Sequence, residues 1–247
     1  AKADLDARDN QGMTAMFMAA QEGKLGALRL LVEAKADINL PSEGGTSPLA
    51  MAVHESGRRV VSLSLRATGE HAHPSDKIAR APDHNTAEWS LILGRPLLGQ
   101  WVLDVRSAIT TLEAHGYAVD NLTVIGTGPA GVVALCTAAL DDRISHTITV
   151  GSLASFVSDT PYENQRLGIL PNGIIRDVGD ISNIAALIAP NKLTICGGVN
   201  GAGQQLNEES LRATFNPTRH VFELSENPGK FEVFPLLNDE DIVRKLN

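Results

Sequence analysis

The residues best placed to do chemistry lie in one short run. Gly126, Thr127, Gly128, Pro129, Ala130 and Gly131 follow an apolar stretch at 122–125 and precede an apolar, small-residue stretch at 132–140. The first stretch predicts a short buried strand, the glycines a sharp turn, and the second stretch a helix. Strand, turn and helix in that order put backbone N–H groups at a helix N-terminus, where negative charge is favoured. The six turn residues are therefore a candidate anion turn. A nucleophile would have to project from its apex, and Gly128 there carries no side chain.

Away from this turn the candidates are sparse. Ser152 and Ser155 follow the next predicted strand, and His71, His73 and His84 share a polar stretch with Asp76 and Asp83. Their spacing is loose for metal ligation, so no metal site is expected. Cys136 and Cys196 both lie among apolar neighbours and read as buried thiols, too few for a structural zinc site.

The elements that must position the turn are legible on either side of it. Positions 97, 98, 101, 102, 105, 108, 109 and 112 form one apolar helical stripe. Strands are expected at 147–150 and 192–196, with a helix over 184–190 between them. Asn207 is placed to cap a helix carrying Glu208 and Glu209 in its first turn. Residues 58–69 fit either a helix, with Val60, Val61, Leu63 and Leu65 apolar, or a strand, with Val61, Leu63 and Leu65 alternating with polar residues; the strand is favoured, and 220–224 reads as the last strand. Strands alternating with helices predict an α/β fold, a mostly parallel sheet flanked by helices.

On these residues, 58–224 resembles the esterase-like branch of the α/β-hydrolases that includes acetyl xylan esterase and dienelactone hydrolase relatives. Residues 65–70 are similar to the D-x-R-G-x-G-E segment of that branch, with Ala67 at the first glycine. The resemblance implies a G-x-S-x-G nucleophile turn whose serine falls at Gly128, with Ala130 at the second glycine. It places the catalytic acid at Asn200, in the stretch after the 192–196 strand. Its histidine should follow the last strand, yet no histidine lies beyond His220. No catalytic residue is therefore expected intact. The same turn, residues 124–131, is also similar to the first turn of FAD-dependent disulfide reductases, which implies FAD or NAD. Against that, the strand that should end in a ribose-binding acid ends in Gly151 and Ser152, and Asp141 and Asp142 precede it.

The first residues carry a repeat. Residues 1–6 return at 34–39 and residues 12–20 at 45–53, both at an offset of 33, and 9–17 resembles the D-x-x-G-x-T-P-L-H opening of ankyrin repeats. Ala15 stands for the proline and Phe17 for the histidine. One complete and two partial repeats fill residues 1–57, an all-α segment ahead of an α/β-hydrolase-like domain at 58–247. The array is expected to start mid-repeat and to lean on a neighbouring domain or a partner. The resemblance implies a protein-binding surface, with Asn10, Gln11, Met13, Phe17, Ser42, Glu43 and Thr46 as contacts. Since the hydrolase resemblance starts at an internal strand, its first strands are expected to be missing, leaving a sheet edge open to self-association.

A net charge of −8 and a pI near 5.3 disfavour nucleic acid and anionic membranes as partners. No apolar run approaches a membrane span and the first residues form no signal peptide, so a cytoplasmic protein is expected. The leading expectation is a binding protein without cofactor or metal. The alternatives are a carboxylic-ester hydrolase of the acetyl xylan esterase-like type and an FAD- or NAD-binding protein.

Overall fold

The computed structural model describes residues 4–9, 13–21, 27, 30–31, 34, 47–78, 81–163 and 165–246. By their contacts they form two units: residues 1–64 together with 238–247, and residues 65–237. Residues 58–64 and the last helix thus group with the repeats, whereas the sequence reading divides the chain after residue 57.

In the first unit, helix α1 (Ala15–Gln21) and helix α2 (Pro48–Glu55) start at residues 15 and 48, the 33-residue offset of the repeat. Ser47 caps α2: its Oγ accepts the Ala50 N–H at 3.2 Å, and Pro48 takes the first turn, where no N–H is needed. Met16 and its repeat counterpart Leu49 are both buried, and Met16 and Ala19 pack with Leu5 and Leu31. Ahead of α1, Arg8 and Thr14 face each other in an antiparallel bridge. The Met13 N–H donates to Asp9 Oδ1 and the Asp9 N–H to the Met13 carbonyl, each at 2.9 Å. Met13 is therefore a half-buried hairpin residue. Asn10, Gln11, Ser42, Glu43, Thr46 and the side chain of Phe17 lie outside the described residues.

The second unit runs α3 (His84–Ile92), α4 (Leu97–Ala114), β1 (Leu122–Thr127), α5 (Ala130–Ala138), β2 (Ile144–Leu153), α6 (Ile174–Asp177), α7 (Ile181–Ala186), β3 (Lys192–Val199), α8 (Glu208–Thr214), α9 (Asn216–Leu224) and β4 (Phe231–Phe234). The strands lie in the order β1-β2-β3-β4, and every pair is parallel. Central β2 and β3 are buried almost throughout, as a parallel sheet covered on both faces requires. Helix α4 buries Leu97, Leu98, Trp101, Val102, Val105 and Ile109, and half-buries Ala108 and Leu112, so the predicted stripe is the packed face. Asn207 caps α8 as expected, accepting the Ser210 N–H at 2.8 Å. Returning to the first unit, α10 (Asp239–Lys245) packs on α2 and buries Ile242 completely.

Three expected elements differ. Residues 58–69 form no strand; Val61 and Leu63 are 57% and 45% exposed, and the alternating pattern finds no neighbouring strand to pair with. Residues 220–224 are helical, the end of α9. Pro217 sits in that helix's first turn, and Thr218 and Phe222, four residues apart, are both buried on one face. The strand that ends the sheet is β4, whose Phe231 stacks near Phe222 and Phe215 at ring-centroid distances of 5.4 and 6.5 Å. Helix α7 starts earlier than expected, because Asp180 and Asn183 form a capping box at its head.

Candidate functional site

Strand β1 delivers the glycine turn to the C-terminal edge of the sheet, where Thr127 pairs with Val150. The three glycines there have different reasons to be glycine. A Cβ on Gly126 would collide with the Ala130 carbonyl, and one on Gly131 would sit 2.5 Å from Ser152 Oγ. These two let α5 cross closely over β1 and β2. Gly128 is the apex, at φ +53°, and a Cβ there would have no heavy atom within 4 Å. The backbone thus makes a sharp, left-handed strand-to-helix turn with open space at its apex.

The turn's own amides are largely engaged. Gly128 N–H donates to the Val150 carbonyl at 2.8 Å, Gly131 N–H to the Gly128 carbonyl at 3.0 Å, and Val132 N–H to the Pro129 carbonyl at 3.2 Å. Pro129 has no N–H. These three bonds fix the turn internally.

Asn200 is engaged as well. Asn200 follows β3 and closes a short turn, its Oδ1 accepting the Gln204 N–H at 3.0 Å and its Nδ2 donating to Gln204 Oε1 at 3.1 Å. In the loop after β4, Leu236 packs 2.9 Å from the Cβ position of Gly197 and 3.7 Å from that of Gly151. Both glycines have positive φ, bending β2 and β3 at one level of the sheet.

The remaining candidates do structural work. Asp76 is buried and accepts the Thr86 N–H at 2.6 Å and Thr86 Oγ1 at 2.8 Å; Asp83 is buried and accepts the N–H groups of Leu167 and Gly168 at 2.8 and 3.0 Å. With both aspartates so engaged, no metal-binding group of His, Cys, Asp or Glu forms among the described residues. Ser155 donates to Asp180, the α7 cap, at 2.5 Å. Ser152 Oγ is buried without a hydrogen-bond partner. Burial pushes the Cys136 thiol up to about 12, which keeps it an unreactive neutral group. The open cleft beside α3 was not singled out in the sequence; its signal was Trp89 and Leu93, four residues apart and both exposed at the end of α3, with Arg95 just beyond.

Residues 11–43 match the ankyrin repeat family model. No curated protein matches the chain in sequence. Among solved structures, the chain is similar to a protein from Bacteroides fragilis described as a putative acetyl xylan esterase, with 16% identity and a TM-score of 0.57 over 76% of this chain and 50% of that one. A glucuronoyl esterase from Caldicellulosiruptor kristjansonii aligns at 20% identity and a TM-score of 0.47, covering 60% of this chain and 48% of that one. The glucuronoyl esterase catalytic domain from Hypocrea jecorina aligns at 16% and 0.48, covering 67% and 55%. The chain spans about half the length of these structures. An ankyrin repeat at residues 11–43 and, after it, a parallel α/β sheet with the fold of that Bacteroides fragilis structure are thus both present. No helix among the described residues is long and apolar enough to cross a membrane.

Proposed function

We propose that this chain is a binding protein: an ankyrin-repeat surface joined to a hydrolase-like scaffold that performs no hydrolysis. The observation that carries this reading is Gly128, held at φ +53° at the apex of an elbow turn with empty space where a hydroxyl is needed. Covalent catalysis requires that nucleophile and a base beside it, and the loop after β4 brings up Leu236 in place of an imidazole. Engaged amides at Gly128, Gly131 and Val132 also support a turn without a dinucleotide. So does the sequential strand order, since dinucleotides bind where the strand order reverses.

The test is turnover of a p-nitrophenyl acetate series. Hydrolysis no faster than buffer, or hydrolysis that Gly128 and Asn200 variants leave unchanged, supports the reading. Turnover that disappears in Asn200→Ala or Gly128→Val overturns it in favour of the alternative, an acyl-ester hydrolase of the acetyl xylan esterase-like type. The protein partner binds through the repeat hairpins, and a partner recovered with the whole chain is lost on Met13→Glu. A second association rests on β1, which pairs with β2 on one side and with no described strand on the other. A concentration-dependent dimer that a proline in β1 abolishes is the expected result; a strict monomer removes this part of the reading.

A further inference from the structure

An open cleft of about 360 Å³ lies beside α3, with His73, Ser75, Trp89, Leu93, Arg95 and Gln100 among its walls. Its hydrogen bonds can be accounted for group by group. Gln100 Oε1 accepts from Arg66 at 2.7 Å, while Gln100 Nε2 donates to Ser90 Oγ and the Arg95 carbonyl at 3.0 and 2.8 Å. Asn85 Nδ2 donates to the Ser75 carbonyl at 2.8 Å, and both Asp76 oxygens accept from Thr86. His73 Nδ1 meets the Ser75 N–H at 3.2 Å and Ser75 Oγ at 2.7 Å. A backbone N–H can only donate, so Nδ1 is an acceptor, and a neutral His73 carries its proton on Nε2.

Three polar groups in the walls then remain without a partner among the described residues: the Arg95 guanidinium, the Trp89 indole N–H and the His73 Nε2–H. All three are donors, and one is a cation. Beside them Trp89 and Leu93 are 63% and 73% exposed, a flat apolar wall left in water. The volume is at the small end of ligand pockets, which run from about 300 to 1,000 Å³.

We propose that this cleft binds a small aromatic carboxylate. The carboxylate pairs with the planar fork of Arg95, a geometry that suits it better than it suits a compact phosphate. The ring lies against Trp89 and Leu93, with the indole and imidazole N–H groups completing the acceptor's shell. Nothing in this site involves the Gly126–Gly131 turn, so it stands whether or not the scaffold hydrolyses esters.

Phenylacetate is the probe, titrated into the whole chain by calorimetry and by tryptophan fluorescence. The chain has two tryptophans, of which Trp101 is 1% exposed and Trp89 63%, and a fluorescence change lost in Trp89→Leu is assigned to Trp89. Saturable binding is expected, weakened about tenfold or more in Arg95→Gln and for the neutral isostere phenylacetamide, and about fivefold in Trp89→Leu. Four results would overturn the proposal: no saturation by about 10 mM, equal binding of phenylacetamide, unchanged affinity in Arg95→Gln, or inorganic phosphate competing as well as the carboxylate.

Discussion

Gly131 and Ser152 pack so closely that a methyl group on the glycine would sit 2.5 Å from the serine oxygen, and that oxygen makes no hydrogen bond. Helix α5 packs on β2 and seals the hydroxyl from water. A buried unsatisfied hydroxyl costs roughly 1–3 kcal/mol. Ser152→Ala is accordingly expected to raise stability by about 1 kcal/mol, while Gly131→Ala lowers it by about 2 kcal/mol through overpacking. Urea unfolding of the two variants checks both signs.

Gly128→Ser is the complementary substitution. The added side chain meets nothing within 4 Å, but it must adopt φ +53°. That left-handed conformation costs about 1–2 kcal/mol for a non-glycine residue. The variant is expected to fold with that loss and still to leave p-nitrophenyl acetate uncleaved, because no imidazole is at hand. A burst of p-nitrophenol from it would show that a base is nearby after all.

Ala67 presents the reverse case, an alanine where the hydrolase segment has glycine. It is held at φ +57° and is buried. Its conformation is fixed from both sides: Trp101 Nε1 donates to the Arg66 carbonyl at 2.7 Å, and Arg166 Nη1 donates to the Ala67 carbonyl at 3.2 Å. Ala67→Gly relieves the strain and is expected to stabilise the α/β unit by about 1 kcal/mol, partly offset by the lost methyl burial. The urea midpoint should rise with an unchanged m-value.

Two aspartates give the units opposite responses to pH. The hydrogen bond from Arg143 holds the Asp141 carboxyl down to about 2, against 3.8 in the unfolded chain, with Arg106 assisting. Its contribution to stability is present above about pH 4 and is lost as pH falls through about 2. Burial instead lifts Asp239 to about 6. That contribution is complete below about pH 4 and is lost as pH rises through about 6. Asp141→Asn should therefore destabilise at pH 7 and cost little near pH 2. Asp239→Asn should stabilise at pH 7.5 relative to wild type and leave pH 4 unchanged. Thermal unfolding at these pH values checks each.

The sequence was most informative where a local pattern implies its own packing. The 33-residue offset located α1 and α2, and the stripe on residues 97–112 marked the buried face of α4. The glycines at 126, 128 and 131 located the turn between β1 and α5. It was least informative where a pattern needs a partner from elsewhere. Alternation at Val61, Leu63 and Leu65 is compatible with a strand, but a ladder needs a neighbour that the fold does not supply. At 220–224 a short mixed run was ambiguous, and Pro217 was the cue that a helix begins there. In the site, the vacancy at Gly128 was readable from residue type alone. The link between Asn200 and Gln204, and that from Gly128 N–H to Val150, depend on how loop and sheet come together.

Residues 1–64 and 238–247 build one unit, so the α/β unit is a guest spliced into a host, with both its flanks leading back to the same body. A nick in either connector leaves the guest tethered through the other. On the ribosome the order matters more: α10, which packs on α2, is made only after the whole guest has emerged. The repeats therefore acquire α10 only after the domain between them in sequence has had its chance to fold.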